Sequence, residues 1–251
     1  MRKVFLLFFI FTSLTIKAQK GHDSLKANIP PTNEYKFRYK QLIVPSAMLV
    51  MGYIGVENGW LRHVKREVRH TLRHHSNTQS ADNYLQYLPL ICNYSLSALG
   101  AKAIHNYKER TMALATSYLA LAGIVNGLKF AIDAPRPFGS ATNSFPSGHT
   151  ATAFMGAEII RQEYKESPIY AIAAYTFAAG IGYARIYNDR HWLNDVIAGA
   201  GAGILSARIG YWLLPYTQRI FQKRKRGKGM ALITPFYSGS QAGITFTALL
   251  P

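Results

Sequence analysis

Cysteine is nearly absent: Cys92 stands alone among 251 residues. One thiol excludes an internal disulfide framework and any zinc site built on cysteines. It reads most simply as a small apolar packing residue. Acidic residues are scarce as well, 12 against 29 lysines and arginines, for a formal net charge of +17. That surplus favours an anionic partner, whether phosphate, acidic lipid headgroup or nucleic acid, and charge alone does not choose among them. Also missing is any break in composition that would separate two domains, so the length suits one large domain with short ends.

The N-terminus lacks an apolar run long enough to be a clear spanning helix. Arg2 and Lys3 precede the apolar stretch Val4 to Ile16, and Lys17-Ala18-Gln19 offers a small residue for a signal peptidase. Residues 1–18 therefore read as an export signal, or as a signal anchor if uncleaved, because a spanning helix wants ~20 apolar residues. Residues 19–41, with Pro30-Pro31, read as an exposed lead-in. Export, and the lack of a recognisable nucleic-acid module, leave no nucleic-acid partner expected.

Beyond the lead-in the chain is helical in pattern. Apolar stretches run from Leu42 to Val56, Tyr84 to Ala101, Met112 to Ile132, Thr150 to Ile160, Pro168 to Ala184 and Val196 to Leu214. Six helices within residues 42–218 is the natural reading. The small-residue run Gly199-Ala-Gly201-Ala-Gly203 lets helix backbones approach closely, in a membrane or in a tight soluble bundle. Residues 219–251 form a basic tail, whose last part, Met230 to Leu250, alternates loosely and suits a hairpin or a plain tail.

Three runs carry chemistry. The first, Lys129-Phe-Ala-Ile-Asp-Ala-Pro-Arg136-Pro137, supplies cations: two prolines fix the chain around Arg136, while Lys129 sits near the end of an apolar helix, where a snorkelling lysine is the plain alternative. The second, Pro146-Ser147-Gly148-His149, precedes an apolar segment and opens a helix whose unpaired N–H groups can hold phosphate. His149 at that mouth is a candidate general acid, or else a capping or packing histidine. The third, Arg185-Ile-Tyr-Asn-Asp-Arg-His191-Trp-Leu-Asn-Asp195, places an imidazole and a carboxylate four residues apart, one helical turn, so that Asp195 can reach Nδ1 of His191 and leave Nε2 as a nucleophile. An ordinary helical His/Asp surface pair is the competing reading. A metal pair is weakened by the lack of a third ligand at a familiar spacing. Arg136 and Arg185 can each fork phosphate oxygens while Lys129 acts as a point charge.

In their order the three runs resemble the signature of the type 2 phosphatidic acid phosphatase (PAP2) family, in the acid phosphatase and vanadium haloperoxidase superfamily. The resemblance covers Met112 to Leu214. It implies an all-α helical bundle with the site at one end of a four-helix core. It also implies that His191 attacks phosphorus to form a phosphohistidine, Asp195 orients it, and His149 protonates the leaving group. Lys129, Arg136, Ser147, Gly148 and Arg185 would bind phosphate, with no metal and no cofactor. Two departures stand out: the family's serine before the third-run arginine is Ala184 here, and the link Phe138 to Phe145 between the first two runs is short.

The expected function is that of a phosphatase acting on a lipid phosphate or pyrophosphate at the periplasmic face of a bacterial inner membrane. A soluble periplasmic acid phosphatase, a vanadium haloperoxidase and a non-catalytic binder of anionic lipid are the alternatives. Near-neutral mean hydropathy and the charges Glu158 and Arg161 argue against a membrane core, whereas the cluster Arg219 to Lys228 argues for one by the positive-inside rule. The number of crossings stays open, because the first two apolar stretches, if both cross, reverse the side on which the first run falls. The basic stretch Arg62 to Ser76 is a candidate for an anionic lipid surface.

Overall fold

The computed structural model describes residues 38–57, 67, 71, 82–137, 141–226, 230–237 and 242–249. The expected export signal, nearly all of the lead-in and all but two positions of the basic stretch Arg62 to Ser76 lie outside the described residues.

Among the described residues, seven helices precede two strands: α1 (Lys40–Glu57), α2 (Asp82–Leu85), α3 (Leu88–Ala98), α4 (Tyr107–Ala131), α5 (Gly148–Glu163), α6 (Pro168–Tyr187), α7 (Leu193–Arg226), β1 (Met230–Tyr237) and β2 (Ala242–Leu249). The stretch Tyr84 to Ala101 reads as one helix in the sequence, yet it divides into α2 and α3. Pro89, in the first turn of α3, has no N–H to donate and would clash with the carbonyl of Leu85 in a continuous helix. The start of α4 moves in the opposite sense, one turn earlier than its apolar run. A capping box extends it: the Asn106 side chain accepts from the N–H of Glu109 at 3.0 Å, and the Glu109 carboxylate accepts from the N–H of Asn106 at 3.2 Å. Helix α7 continues through Pro215 to Arg226, well beyond Leu214. The strands pair antiparallel from Met230↔Leu249 to Tyr237↔Ala242.

Helix α7 is the hub, packed against α1, α4 and α5. Its small residues make that possible: a Cβ on Gly199 would lie 2.5 Å from the Ser147 carbonyl oxygen, and one on Gly201 would lie 2.6 Å from that of Pro45. The core around α7 gathers Ala113, Leu121, Val125, Met155, Ile159, Ala202, Tyr211 and Leu214. A second cluster joins α5 to α6 through Ala153, Ala157, Ile160, Ala174, Ala178 and Ile181.

Chain direction explains how distant runs meet. Gln41, at the start of α1, bonds to Arg208 and Trp212, whereas Gly55, near its end, lies against Asn194. Helix α1 thus runs toward the beginning of α7, and α2 with α3 carries the chain back. Helices α4 and α6 then end where α5 and α7 begin, so two C-termini and two N-termini share one end of the bundle.

Among the described residues, three helices, Tyr107–Ala131, Pro168–Tyr187 and Leu193–Phe221, are long and apolar enough to cross a membrane. Helices α4 and α6 turn much of that apolar surface outward: Leu119 is 75% exposed and Phe130 96%. Glu158 and Arg161 do not weigh against such a core as the sequence suggests. Glu158 is fully buried and accepts from Arg161, Gln162, Tyr175 and Arg208, so its charge is matched inside the bundle.

Candidate active site

At the shared end, each run takes its position from a helix terminus. Lys129 lies in the last turn of α4, Ser147 is the N-cap of α5, Arg185 lies in the last turn of α6, and Asp195 lies in the first turn of α7. Two helix N-termini therefore point their unpaired N–H groups and positive dipole ends into one space. On α5 the first intrahelical bond reaches back only from Ala151 to the Ser147 carbonyl, which leaves the N–H groups of Gly148 and His149 without an intrahelical acceptor. Ser147 itself is wholly buried; its hydroxyl accepts from Thr150 at 3.0 Å, and its N–H donates to the Asp195 carbonyl at 3.0 Å.

His191 does not sit on the helix with Asp195. It lies in the turn before α7, held there by the end of α6. Asp189 takes the left-handed conformation at φ 58°, while the N–H groups of Arg190 and His191 both donate to the Arg185 carbonyl, at 3.0 and 3.2 Å. With the bond from Asp189 to Ile186, this forms a Schellman cap in which an aspartate stands where glycine is usual. The cap couples the third-run arginine to the imidazole through a few backbone atoms.

Nor does Asp195 bond His191 directly: Nδ1 and Oδ2 are 3.6 Å apart. Ser144 stands between them, donating to Asp195 Oδ2 at 2.5 Å while its oxygen lies 3.4 Å from His191 Nδ1. A proton on Nδ1 can thus donate to Ser144, and Ser144 to the carboxylate. This relay selects the tautomer with a lone pair on Nε2. Asp195 also accepts from the Trp192 N–H at 2.9 Å and from Asn194 at 3.1 Å, so three donors fix it. His191 is 3% exposed. Burial holds its imidazole below the ordinary range; Asp195 opposes that shift, and Arg185 and Lys129 reinforce it.

The cations are held by groups that leave their charge unneutralised. Lys129 donates to the Asn143 carbonyl at 2.6 Å, and Arg136 Nε donates to the Asn143 side-chain oxygen at 3.0 Å. Trp192 Nε1 donates to the Pro135 carbonyl at 2.8 Å, which ties the first run to the third. Arg185 is the exception, because Nη1 meets Asp82 Oδ2 at 2.5 Å in a buried pair. Its Nε has no partner among the described residues and stays available to an incoming oxygen. The neighbouring Asn83 binds the other histidine, its Oδ1 lying 2.8 Å from His149 Nε2. Burial, then the Arg185 guanidinium, pushes His149 down to about 4.

The structure thus brings Lys129, Arg136, Ser147, Gly148, His149, Arg185, His191 and Asp195 to one end of the bundle. Sequence reasoning missed four residues there: Asp82, Asn83, Asn143 and Ser144. The last two had a signal, a polar pair in the short link just before Pro146. Asp82 and Asn83 had none, being 103 and 66 residues from their partners.

Comparison with known proteins bears on this arrangement. The chain is 40% identical over 150 residues to a lipid A 1-phosphatase of Porphyromonas gingivalis, covering 59% of this chain and 34% of that protein. It is 36% identical over 81 residues to the bacitracin transport permease protein BcrC of Bacillus licheniformis, covering 32% and 38%. It therefore spans about a third of the length of each of these relatives. Among solved structures, LpxE of Aquifex aeolicus aligns with a TM-score of 0.41 at 22% identity, over 72% of this chain and 98% of that one. A PAP2-type phosphatidylglycerolphosphate phosphatase of Bacillus subtilis aligns with a TM-score of 0.37 at 18% identity, over 72% and 86%. Residues 110–219 match the PAP2 superfamily, and all three runs lie inside that segment.

Proposed function

We propose that this protein is a phosphatase that removes phosphate from a lipid phosphate or pyrophosphate through a phosphohistidine on His191, at the periplasmic face of a bacterial inner membrane. The observation that carries the reading is the buried imidazole of His191, with Nδ1 engaged through Ser144 and Asp195, facing an end of the bundle where two helix N-termini and three cations meet.

In the first step Nε2 of His191 attacks phosphorus and the bond to the leaving oxygen breaks, while a proton on His149 passes to that oxygen. Lys129, Arg136 and Arg185, with the N–H groups at the start of α5, hold the equatorial oxygens as charge shifts among them. In the second step His149 takes a proton from water, the oxygen attacks phosphorus, and the P–N bond breaks to release phosphate and free His191. His149 is neutral in the free protein at physiological pH. A bound phosphate dianion beside it favours its charged form and so loads it with the proton it must deliver.

Membrane placement rests on α4, α6 and α7 and on the outward apolar faces of the first two. The basic end of α7, with Arg219 and Lys223, is about 40 Å from the site by helical rise, farther than a hydrocarbon core is thick. The positive-inside rule then favours a cytoplasmic tail and an external site. The relative from P. gingivalis makes a glycolipid phosphate of the lipid A type the first substrate to try. The test is a panel of lipid phosphates in detergent, with phosphate release measured for the wild type and His191→Ala. Release by the wild type alone is expected; lipid binding with no release from any substrate would overturn the enzyme reading.

A further inference from the structure

Below the phosphate end, α3, α5 and α6 line an open-sided cavity of about 280 Å³ that the chemistry of the site does not use. Leu88, Pro89, Cys92 and Leu96 form one wall and Tyr170 and Phe177 another, with Ile160 behind them. Apart from one thiol and one phenol, the lining is hydrocarbon. Tyr170 packs edge-on against Tyr164, ring centres 5.7 Å apart, where Tyr164 is fixed by its bond to the Asn93 carbonyl. The wall of α3 is joined to the site by a few residues, since Asp82 and Asn83 of α2 bond Arg185 and His149. Exposed apolar side chains flank the cavity on both helices: Ile91 on α3, Ile169 and Ile172 on α6.

Depth is what identifies an occupant. Along α6, Phe177 lies eight residues from Arg185 and Tyr170 fifteen, or about 12 and 22 Å by helical rise. One leaflet of bilayer hydrocarbon is ~15 Å deep, half of the ~30 Å core. A chain hanging from a phosphate held at Arg185 therefore reaches the cavity. Resting on the lipid-phosphatase reading above, we propose that this cavity is the acyl-chain subsite of the enzyme, which receives one hydrocarbon tail of the same lipid whose phosphate is held by Arg185. The tail enters between α3 and α6 from the bilayer side. Chain length, and not headgroup alone, then sets specificity.

Two measurements on the full chain test this. In the first, kcat/KM is measured for alkyl phosphates from butyl to hexadecyl, for the wild type, Cys92→Phe and Ala173→Phe. Each added methylene that is buried is worth up to about fourfold in binding. The wild type should gain at least about tenfold from butyl to dodecyl phosphate, and both variants should lose most of that gain while keeping butyl phosphate turnover within about twofold. Ala173 lines the cavity from an exposed position, so its variant serves if Cys92→Phe does not fold. Equal loss on all chain lengths, or an unchanged gain, would overturn the subsite and leave the cavity to bulk lipid. The second measurement does not depend on turnover. Cys92 is the sole thiol, and its alkylation by N-ethylmaleimide in His191→Ala should slow at least fivefold with hexadecyl phosphate and not with inorganic phosphate. Protection without hydrolysis by the wild type would keep the subsite and sink the phosphatase reading. No protection would count against the subsite even if hydrolysis is found.

Discussion

The two ends of α5 hold similar kinds of charged groups and use them in opposite ways. Toward the far end, about 15 to 22 Å from Gly148 by helical rise, the carboxylates are saturated. Glu163 takes the N–H and ring of His105 and the hydroxyl of Tyr211, and Glu158 takes Arg161, Gln162, Tyr175 and Arg208. At the near end the cations outnumber the carboxylates, and Asn143 occupies two of them with neutral oxygen atoms. A closed set of ion pairs holds helices together and has nothing left for a ligand. An open set retains positive potential, which an anion can complete.

The sharpest break in this comparison is His191→Ala, which should lower kcat by at least about 10³-fold with little change in Tm. Phosphate release and a melting curve on one preparation check both halves. Next comes His149→Ala, expected to cost about 10²–10⁴-fold on alkyl phosphates and far less on activated aryl phosphates, whose leaving groups need no proton. Equal losses on the two substrates would remove His149 from the acid role.

The far end should respond in stability instead of rate. Glu158→Ala leaves the half-buried Arg208 without its carboxylate and should destabilise by about 2–3 kcal/mol, seen as a lower midpoint in denaturant. The activity of the folded fraction should stay within about twofold. Ser144→Ala tests the relay: kcat should fall roughly tenfold, the scale of one hydrogen bond to a charged group, and Ser144→Thr should restore most of it. Smallest is a pH effect. His149 is depressed from 6.5 to about 4, and His191 is lowered in the same sense, so the unfolded chain binds these protons more readily than the folded one. The contribution of His149 to stability is full above pH 6.5 and is lost as pH falls from there through about 4, and that of His191 is lost in the same acid direction. Inorganic phosphate should reduce that loss, because it favours the charged imidazoles. A Tm that falls equally with and without phosphate would contradict the open cage.

How much of this was legible in the chain depends on distance along it. The site residues of the three runs lie within short stretches, so helix starts, proline-fixed arginines and the spacing of His191 to Asp195 all read locally. Asp82 and Asn83 come from a helix of four residues whose only signature is its fold partners. Ser144 was hidden differently: a four-residue spacing suggested a direct His191 to Asp195 contact on a helix, and the Schellman cap at Asp189 instead lifts His191 off α7 and opens room for a hydroxyl. Glu158 misleads in the sequence, because it reads as a polar helix end until Arg208, 50 residues later, is seen against it.

The account turns on His191 as the nucleophile, and one measurement addresses that directly. The purified protein, mixed with a labelled lipid phosphate, quenched in alkali to preserve phosphoramidate and digested, is examined by mass spectrometry for a phosphoryl group. The account predicts one phosphoryl on the peptide bearing His191, absent in His191→Ala. Steady turnover with no phosphorylated peptide, or with the label on another residue, would contradict it.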